Sequence, residues 1–452
     1  MLGLPPELWV SVFGYLSTEE KHAVRCCCRA FKKLVDHPYL WRRYTVVLRD
    51  LDRYTFGFWE TLHQRKLTRV AVRHLRRKEW QRLVKFLPAL TAIVFVGGGH
   101  VYKQKYLHPL MQFPNIRDLG VRDTTWTEPV LGTSLIAHLR DRLTHMSVCN
   151  VSLTCTVSFI QAVSQLSNLR YLLFHQQGYD LDEVRPVPLE DFHHMMMHLK
   201  KLKHLSWGMR GKPQDPLPDN WPSPPDPRHP GSQYSGPALT TLELEVYPET
   251  ILPETALWNL TSLKSLTVRY RYFQDGVDCR LNSWLRPLKN LESLSIIGPN
   301  SLAVYTTTIP ASVTSLTLRV AITLKDLDSI APKGLSLEHL DIGQNRSNGS
   351  LCRCIPTLFP QLRTLRIRFF HREPEKDLLN LHRLRHLERL ELLVERSLIL
   401  RGYLNGHPWP GPSVQELINQ LRGMSANRIT VVTAMRQRNP LRECNCVWEG
   451  DR

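Results

Sequence analysis

One short pattern recurs along this chain and is plainest in "SLKSLTVRY" (residues 262–270), "NLESLSIIG" (290–298) and "QLRTLRIRF" (361–369). In each segment apolar residues stand at the second, fifth and seventh positions. Successive side chains of a strand point to opposite faces, so the fifth and seventh positions face one core and the sixth faces away from it. Each segment therefore predicts a short strand with one buried face.

The central apolar residue of this pattern, which we call the anchor, recurs over most of the sequence. Successive clear anchors are 22 to 37 residues apart. Fainter copies are anchored on Val70 and Ile93, and "NRITVVTAM" (427–435) is a candidate last copy. The eleven clear anchors are Leu119, Met146, Leu172, Leu205, Leu242, Leu266, Leu294, Leu316, Leu340, Leu365 and Leu390.

Sustained self-similarity at this period is typical of leucine-rich repeats, in which each unit buries its apolar face only by stacking on its neighbours. The residues between the strands carry helix-like apolar spacing, as in "VSFIQAVSQL" (157–166). We therefore predict an α/β fold, a leucine-rich-repeat solenoid with a curved parallel sheet and helices on its convex side. A proline-rich stretch at 211–237 interrupts it. That stretch is either a tolerated insertion or a loop that binds a partner.

Composition narrows the class of protein. The chain has 452 residues, 42% of them hydrophobic, and a formal net charge of +18. A basic surface attracts acidic partners of any kind. No apolar run is long enough for a membrane helix. The ten cysteines are scattered or too close together for disulfides, and the start lacks the features of a secretory signal. We expect reduced thiols and a cytoplasmic or nuclear location.

The stretch "LGLPPELWVSVFGYL" (2–16) predicts a helix in front of the repeats. Two prolines and Glu7 suit a first helical turn, and Leu8, Val12 and Leu16 recur at i, i+4 and i+8 on one side. A second helix, capped by Ser17 or Thr18, is expected to run to about Val35. So small a helical bundle has little core, which favours sharing the apolar stripe with another chain.

Residues 4–41 resemble an F-box. The residues that fall on this family's pattern are Leu4, Pro5, Glu7, Leu8, Val12, Phe13, Leu16, Cys28, Arg29, Phe31, Leu34, Pro38, Leu40 and Trp41. With the repeats, the whole chain resembles the F-box proteins with leucine-rich repeats. Lys21 and His22 depart from the family, which usually has leucines there.

The resemblance implies a function. F-box helices of this family pack on a small acidic adaptor of the Skp type, which links them to cullin and RING subunits of a ubiquitin ligase, and the repeats hold a protein substrate. Basic side chains at Lys21, Arg25, Arg29, Lys32 and Lys33 would complement the adaptor. The alternative is a helical cap on the solenoid. The implied adaptor-binding residues are Leu4, Pro5, Leu8, Val12, Phe13, Leu16 and Trp41.

The predicted domains follow from these segments. We expect an F-box helical domain at 1–48 and a basic linker with the first irregular repeats at 49–111. The solenoid is expected at 112–436, with its proline-rich insertion at 212–237, and a C-terminal tail at 437–452.

The repeat register also predicts a substrate surface. Side chains on either side of the last apolar position face outward from the sheet, and several are basic. Arginine suits forked contacts with carboxylate or phosphate, which favours an acidic or phosphorylated recognition segment. The alternative is a mixed polar surface, neutralised by Glu243, Glu245, Asp341 and Glu391. The candidate substrate-binding residues are His175, Arg269, Arg319, Arg366 and Arg368.

Other patterns in the sequence bear on possible binding or catalytic chemistry. Residues 65–86 hold nine Lys or Arg and one Glu, which indicates either a solvated basic face or a nucleic-acid surface. His194 and His198 lie one helical turn apart near Asp191, but no complete set of metal ligands follows from the spacing. Phosphate-loop and nucleophile motifs are absent. We expect no catalysis, metal or cofactor in this chain. The competing interpretation is a repeat scaffold without a ligase role.

Overall fold

The structure is a computed structural model, and the chain divides into two compact units, Met1–Leu202 and Lys203–Glu443. The residues described are 4–42, 44–49, 51–73, 77–97, 101–102, 107–126, 131–153, 155–176, 187–208, 221–222, 236–248, 252–271, 279–298, 302–320, 322–331, 336–342, 351–368, 375–394, 403–404, 407–408 and 414–435. The predicted tail at 437–452 and most of the insertion at 212–237 lie outside them.

The first unit begins with three helices and a 3₁₀ turn: α1 (Pro6–Gly14), α2 (Thr18–Cys27), α3 (Arg29–Val35) and Pro38–Leu40. Ser17 caps α2, since its side chain accepts from the backbone of Glu20 and the Glu20 carboxylate accepts from the backbone of Ser17. The predicted single helix to Val35 is wrong in one respect. Cys28 is extended (φ −159°, ψ 164°), so it ends α2 and caps α3.

The repeats of the first unit form a parallel sheet with strands in chain order. Anchors Val70, Ile93, Leu119, Met146 and Leu172 stand opposite one another in successive pairs and are buried. The strands are β1 (Val46–Leu48), β2 (Arg69–Val72), β3 (Ala92–Val96), β4 (Val101–Tyr102, paired with β5), β5 (Asp118–Trp126), β6 (His145–Leu153) and β7 (Tyr171–Gln176).

Helices connect these strands, as the periodicity predicted. They are α4 (Phe56–Gln64), α5 (Arg77–Phe86), α6 (Thr133–Leu139), α7 (Thr156–Ser164) and α8 (Leu189–His198), with 3₁₀ turns at Leu51–Arg53 and His108–Gln112.

The second unit repeats the plan. Its anchors run in one buried row from Leu205 to Leu390, and Val431 extends the row, so the candidate last copy is a true repeat. The strands of the parallel sheet are β8 (His204–Gly208), β9 (Thr241–Val246), β10 (Ser265–Tyr270), β11 (Ser293–Ile297), β12 (Ser315–Arg319), β13 (His339–Asp341), β14 (Thr364–Arg368), β15 (Arg389–Val394) and β18 (Thr430–Met435).

The remaining elements of this unit lie between its strands in the sequence. A short antiparallel pair, β16 (Tyr403–Leu404) and β17 (His407–Pro408), precedes the last helix. The helices are α9 (Leu281–Leu285), α10 (Leu324–Ile330), α11 (Leu351–Leu358), α12 (Glu375–Leu379) and α13 (Val414–Met424), with 3₁₀ turns at Leu302–Val304, Thr306–Thr308 and Asn380–Arg383. None of the described helices combines the length and apolarity needed to cross a membrane.

Hydrogen bonds link neighbouring repeats within each unit, just ahead of the strand. The backbone amide two residues before an anchor donates to the carbonyl at the same place in the preceding repeat, as Lys264 does to Thr240 (2.9 Å). A short polar side chain four residues before an anchor adds a second bond, as Ser262 Oγ does to the Leu239 carbonyl (3.0 Å). Such bonds satisfy backbone groups at the repeat boundary, where a helix-to-strand turn would leave them unpaired. The predicted leucine-rich-repeat solenoid behind a helical domain is confirmed.

Candidate protein-docking surfaces

Helix α1 exposes large apolar side chains on one side. Leu8 is 51% exposed and Val12 45%, one helical turn apart, and Leu4 precedes them at 45%. Tyr15 is 92% exposed beside them. We call Leu4, Leu8, Val12 and Tyr15 the α1 apolar face. A group of exposed apolar side chains on one helix is typical of an interaction surface.

Two residues expected at this surface lie instead in the core of the helical domain. Phe13 is 3% exposed and packs on Trp9 and Phe31, with ring centroids 5.6 and 5.4 Å away. Trp41 is 6% exposed, and its indole nitrogen donates to the Val35 carbonyl. Aromatic rings of this size supply most of the apolar contact that three short helices can bury. Phe13 and Trp41 therefore support the α1 apolar face and do not form it.

The remaining expected docking residues frame that face. Pro5 is exposed at the start of α1, and Leu16 is half-buried just beyond its end. Lys21, expected to point at an acidic partner, is 1% exposed, and its ammonium donates to the Leu16 carbonyl (2.6 Å) and the Tyr44 hydroxyl (2.8 Å). That expectation is corrected: Lys21 holds the C-terminal end of α1, where a cation is favourable.

Arg25 also has an internal role. Asp36 is 8% exposed and accepts from Arg25 Nε (2.9 Å) and from Arg65 Nε (2.8 Å). Arg65 follows α4 directly, and its guanidinium lies 3.7 Å from the centre of the Trp41 ring. Burial lowers the pKa of Arg65, which the Asp36 carboxylate opposes. This network, which we call the Asp36 network, fastens the N-terminal helices to the first repeat.

The second candidate surface is the outward side of the strands in the second unit. The register aligns Thr267, Ser295, Thr317, Asp341 and Arg366 on successive strands, all partly exposed between buried anchors. The predicted outward positions are therefore confirmed as neighbours in space. Since adjacent strands lie about 4.8 Å apart, side chains in one row touch across the sheet.

Opposite charges meet in this row. Asp341 lies 3.3 Å from Arg366 Nη1 and 3.7 Å from Arg319 Nη2, and Glu391 lies 3.1 Å from Arg366 Nε. A cavity of about 220 Å³ opens here, lined by Asp341, Arg366, Glu391, Arg389 and neighbouring strand residues. Arg319 and Arg366 thus have carboxylate partners within the sheet, which is the arrangement that the mixed polar interpretation predicts.

The first strands of this unit carry buried charges. Glu243 accepts from Ser206 Oγ (3.1 Å), and Glu245 accepts from Arg271 Nη2 (2.5 Å) and from the Tyr247 hydroxyl (3.2 Å). Arg269 lies opposite Glu245 in register.

The two remaining candidate substrate residues are Arg368 and His175. Arg368 is partly exposed at the end of β14, opposite Leu393 of β15. His175 is buried on β7 of the first unit.

The basic stretch and the histidine pair also have local partners. Arg82, from the basic stretch, contacts the Leu51 carbonyl (3.1 Å) and Asp52 (3.2 Å). The rings of His194 and His198 are in contact and tilted by 34°, with centroids 4.1 Å apart. In the part of the chain that the structure describes, no three His, Cys, Asp or Glu side chains come together as metal ligands.

Comparison with known proteins gives one family assignment. Residues 1–46 match the F-box-like family, so the chain carries an F-box-like domain there. No curated protein matches the chain.

Two solved structures show what the chain is similar to. One is an internalin (inlF) from Listeria monocytogenes, with 14% identity, 79% of each chain covered and a TM-score of 0.30. The other is the Rad7 and Elc1 complex in yeast, with 13% identity, 82% of this chain and 89% of that chain covered, and a TM-score of 0.36. Both TM-scores are low, so the support for the repeat fold comes from this chain's own strand register and its buried anchors.

Proposed function

We propose that this chain is the substrate-recognition subunit of a cullin–RING (SCF-type) ubiquitin ligase. Its F-box-like domain docks on a Skp-type adaptor, which joins it to cullin and RING subunits, and its repeats bind the protein to be ubiquitinated. One observation carries the proposal: the F-box-like domain leaves the α1 apolar face outside its own core. We place the protein in the cytoplasm or nucleus, where such ligases assemble.

The docking surface follows from exposure. Leu4, Leu8 and Val12 make the centre of the contact, with Pro5 and Leu16 at its border. Burying an apolar side chain of this size fully is worth about 1.5–3 kcal/mol, and these are about half exposed at the start, so each contributes about 1 kcal/mol before association costs. Arg29, Lys32 and Lys33 are exposed on α3 and would speed the encounter with an acidic adaptor.

The repeats supply the second surface. A solenoid presents many outward strand positions in fixed register, which suits it to bind an extended face of another protein. In this mechanism the chain forms no covalent bond with the substrate. It raises the effective concentration of the substrate at the ubiquitin carrier, which can accelerate transfer by large factors without a catalytic residue here.

The test is reconstitution of the full chain with a Skp-type adaptor, cullin and RING subunits, followed by gel filtration. Leu8→Asp places a carboxylate at the centre of the α1 apolar face. The acid stands in the first turns of α1, where the helix dipole tolerates it, so the fold should survive. We expect the wild type to co-elute with all three subunits and Leu8→Asp to elute alone.

Val47→Asp is the matched control. Val47 is 48% exposed on β1 of the same unit, so the change introduces the same charge at a similarly exposed apolar position but lies off the proposed contact. We expect this variant to co-elute normally. Co-elution of Leu8→Asp, or failure of the wild type to bind any adaptor, contradicts the proposal. Salt-sensitive retention on nucleic acid by the wild type would then favour the alternative of a basic scaffold.

A further inference from the structure

Arg269 is a buried cation that bonds to no other described residue. It is 6% exposed, at the outward position of β10, and its Nη1 is buried without a hydrogen-bond partner in the described part of the chain. No carboxylate of the described residues lies within ion-pair distance of it, in contrast to Arg319 and Arg366 on later strands. Burying a charged group without a partner costs several kcal/mol, so such an arrangement indicates a missing counter-charge.

The carboxylate nearest in register is already engaged. Glu245 stands opposite Arg269 on β9, but its Oε1 accepts from Arg271 and its Oε2 accepts from the Tyr247 hydroxyl. On the other side of Arg269 the neighbour is Ile297, which is apolar. Glu243, two residues before Glu245 on β9, accepts from Ser206 Oγ. These neighbouring carboxylates therefore bond to other groups and not to Arg269.

We propose that Arg269 binds a single anionic group of a ligand, a carboxylate or a phosphate, on the outward side of the sheet. A guanidinium offers two parallel N–H donors to either oxyanion, and burial strengthens the pair because the surroundings screen it less than water does. Calling the ligand a substrate rests on the proposed function. The anion site itself stands on the geometry of Arg269 and does not involve the docking helices.

Arg269 differs from two other arginines that were predicted to bind an acidic or phosphorylated segment. Arg319 and Arg366 already form ion pairs with Asp341 and Glu391. An acidic ligand therefore gains more binding free energy at Arg269 than at Arg319 or Arg366. At Arg269 the ligand supplies the missing partner, whereas at the other two arginines it competes with a carboxylate that is already in contact.

The experiment is thermal melting of the full chain during titration with sodium phosphate, at constant ionic strength kept by sodium chloride. We expect a phosphate-dependent rise of about 2–4 °C once phosphate exceeds its dissociation constant several-fold. A parallel titration with sodium acetate distinguishes a carboxylate site from a phosphate site. Arg269→Gln should abolish the rise, and Arg269→Lys, which keeps the charge but loses the fork, should need more phosphate.

Arg286→Gln is the control. Arg286 is an exposed arginine that follows α9 directly and lies outside the strands of the same unit, so its loss lowers the net charge equally. It should keep the full phosphate response. An equal response in Arg269→Gln, or no response of the wild type to either anion, overturns the proposal. Adaptor binding is not measured here, so this failure is distinguishable from failure of the proposed function. If Arg269→Gln does not fold, the shifted titration of Arg269→Lys decides.

Discussion

Replacing Asp36 by Asn should loosen the contact between the N-terminal helices and the first repeat. The Asp36 network joins three side chains with little exposure: 8% for Asp36, 21% for Arg25 and 13% for Arg65. Removing one charge from a buried network leaves the others uncompensated, which typically costs 3–5 kcal/mol. Asparagine can still accept one hydrogen bond, so we expect about 3 kcal/mol.

Hydrogen–deuterium exchange of the full chain measures this locally, in peptides that cover α2, α3 and Trp41. When reclosing is fast, exchange follows the free energy of opening, and each 1.4 kcal/mol is a factor of ten. Asp36→Asn should therefore speed exchange there about 100-fold. Asp52→Asn is the control, because its ion pair with Arg82 joins side chains that are 63% and 41% exposed and is worth about 1 kcal/mol or less. Equal, small effects of the two changes would refute the reasoning.

Three further predictions concern the repeats. Burial lowers the pKa of His193, so the unfolded chain binds a proton at this imidazole more tightly than the folded chain does. The stability that neutral His193 supports is therefore complete above about pH 6.5 and is lost as the pH falls below that value. His193→Phe should thus flatten the fall in melting temperature between pH 7.5 and 5.5, and His194→Phe, at an exposed position, should not. Tyr305 is fully buried, and its hydroxyl has no partner among the described residues, so Tyr305→Phe should leave the melting temperature unchanged or raise it; a clear fall would contradict this. Leu316→Ala removes a buried anchor and should cost about 2–5 kcal/mol in denaturant unfolding, whereas its partly exposed neighbour Thr317→Ala should cost under about 1 kcal/mol; similar losses would argue against the anchor row.

The repeat register was predictable because it depends on a long-range periodicity that each anchor reinforces. The positions Leu266, Leu294 and Leu316 fall opposite one another as the spacing predicts, and the row extends to Val431. The bonds between repeats were not predictable from the leucines. They use backbone amides and short polar side chains such as Ser262, which carry no strong sequence signal.

The docking helix was predictable in kind but not in every residue. Apolar residues cover more than one side of α1, so periodicity alone does not tell which side the domain keeps for itself. Contacts with Phe31 decide which side is buried. Phe13 and Trp9 pack on the Phe31 ring, and Leu8 and Val12 stay exposed. The turn at Cys28, which brings Phe31 into place, was missed because nothing in a run of three cysteines marks a helix end.

The strand surface illustrates a second limit. Sequence register placed the arginines on the outward side, but which of them have partners depends on contacts across strands that are about 4.8 Å apart. Asp341 pairs with two arginines because it lies on the strand between theirs. Glu245 does not pair with Arg269, although it stands opposite, because its carboxylate accepts hydrogen bonds from Arg271 and Tyr247. Such competition is visible only when side chains are placed in space.

The central claim is that the α1 apolar face, and not the strand surface, docks on the adaptor. The most direct test is hydrogen–deuterium exchange of the full chain with and without a saturating Skp-type adaptor. The account predicts slower exchange in peptides covering residues 4–16, with peptides of β10 to β15 unchanged. Protection confined to those strands, or no protection anywhere at saturating adaptor, would contradict it.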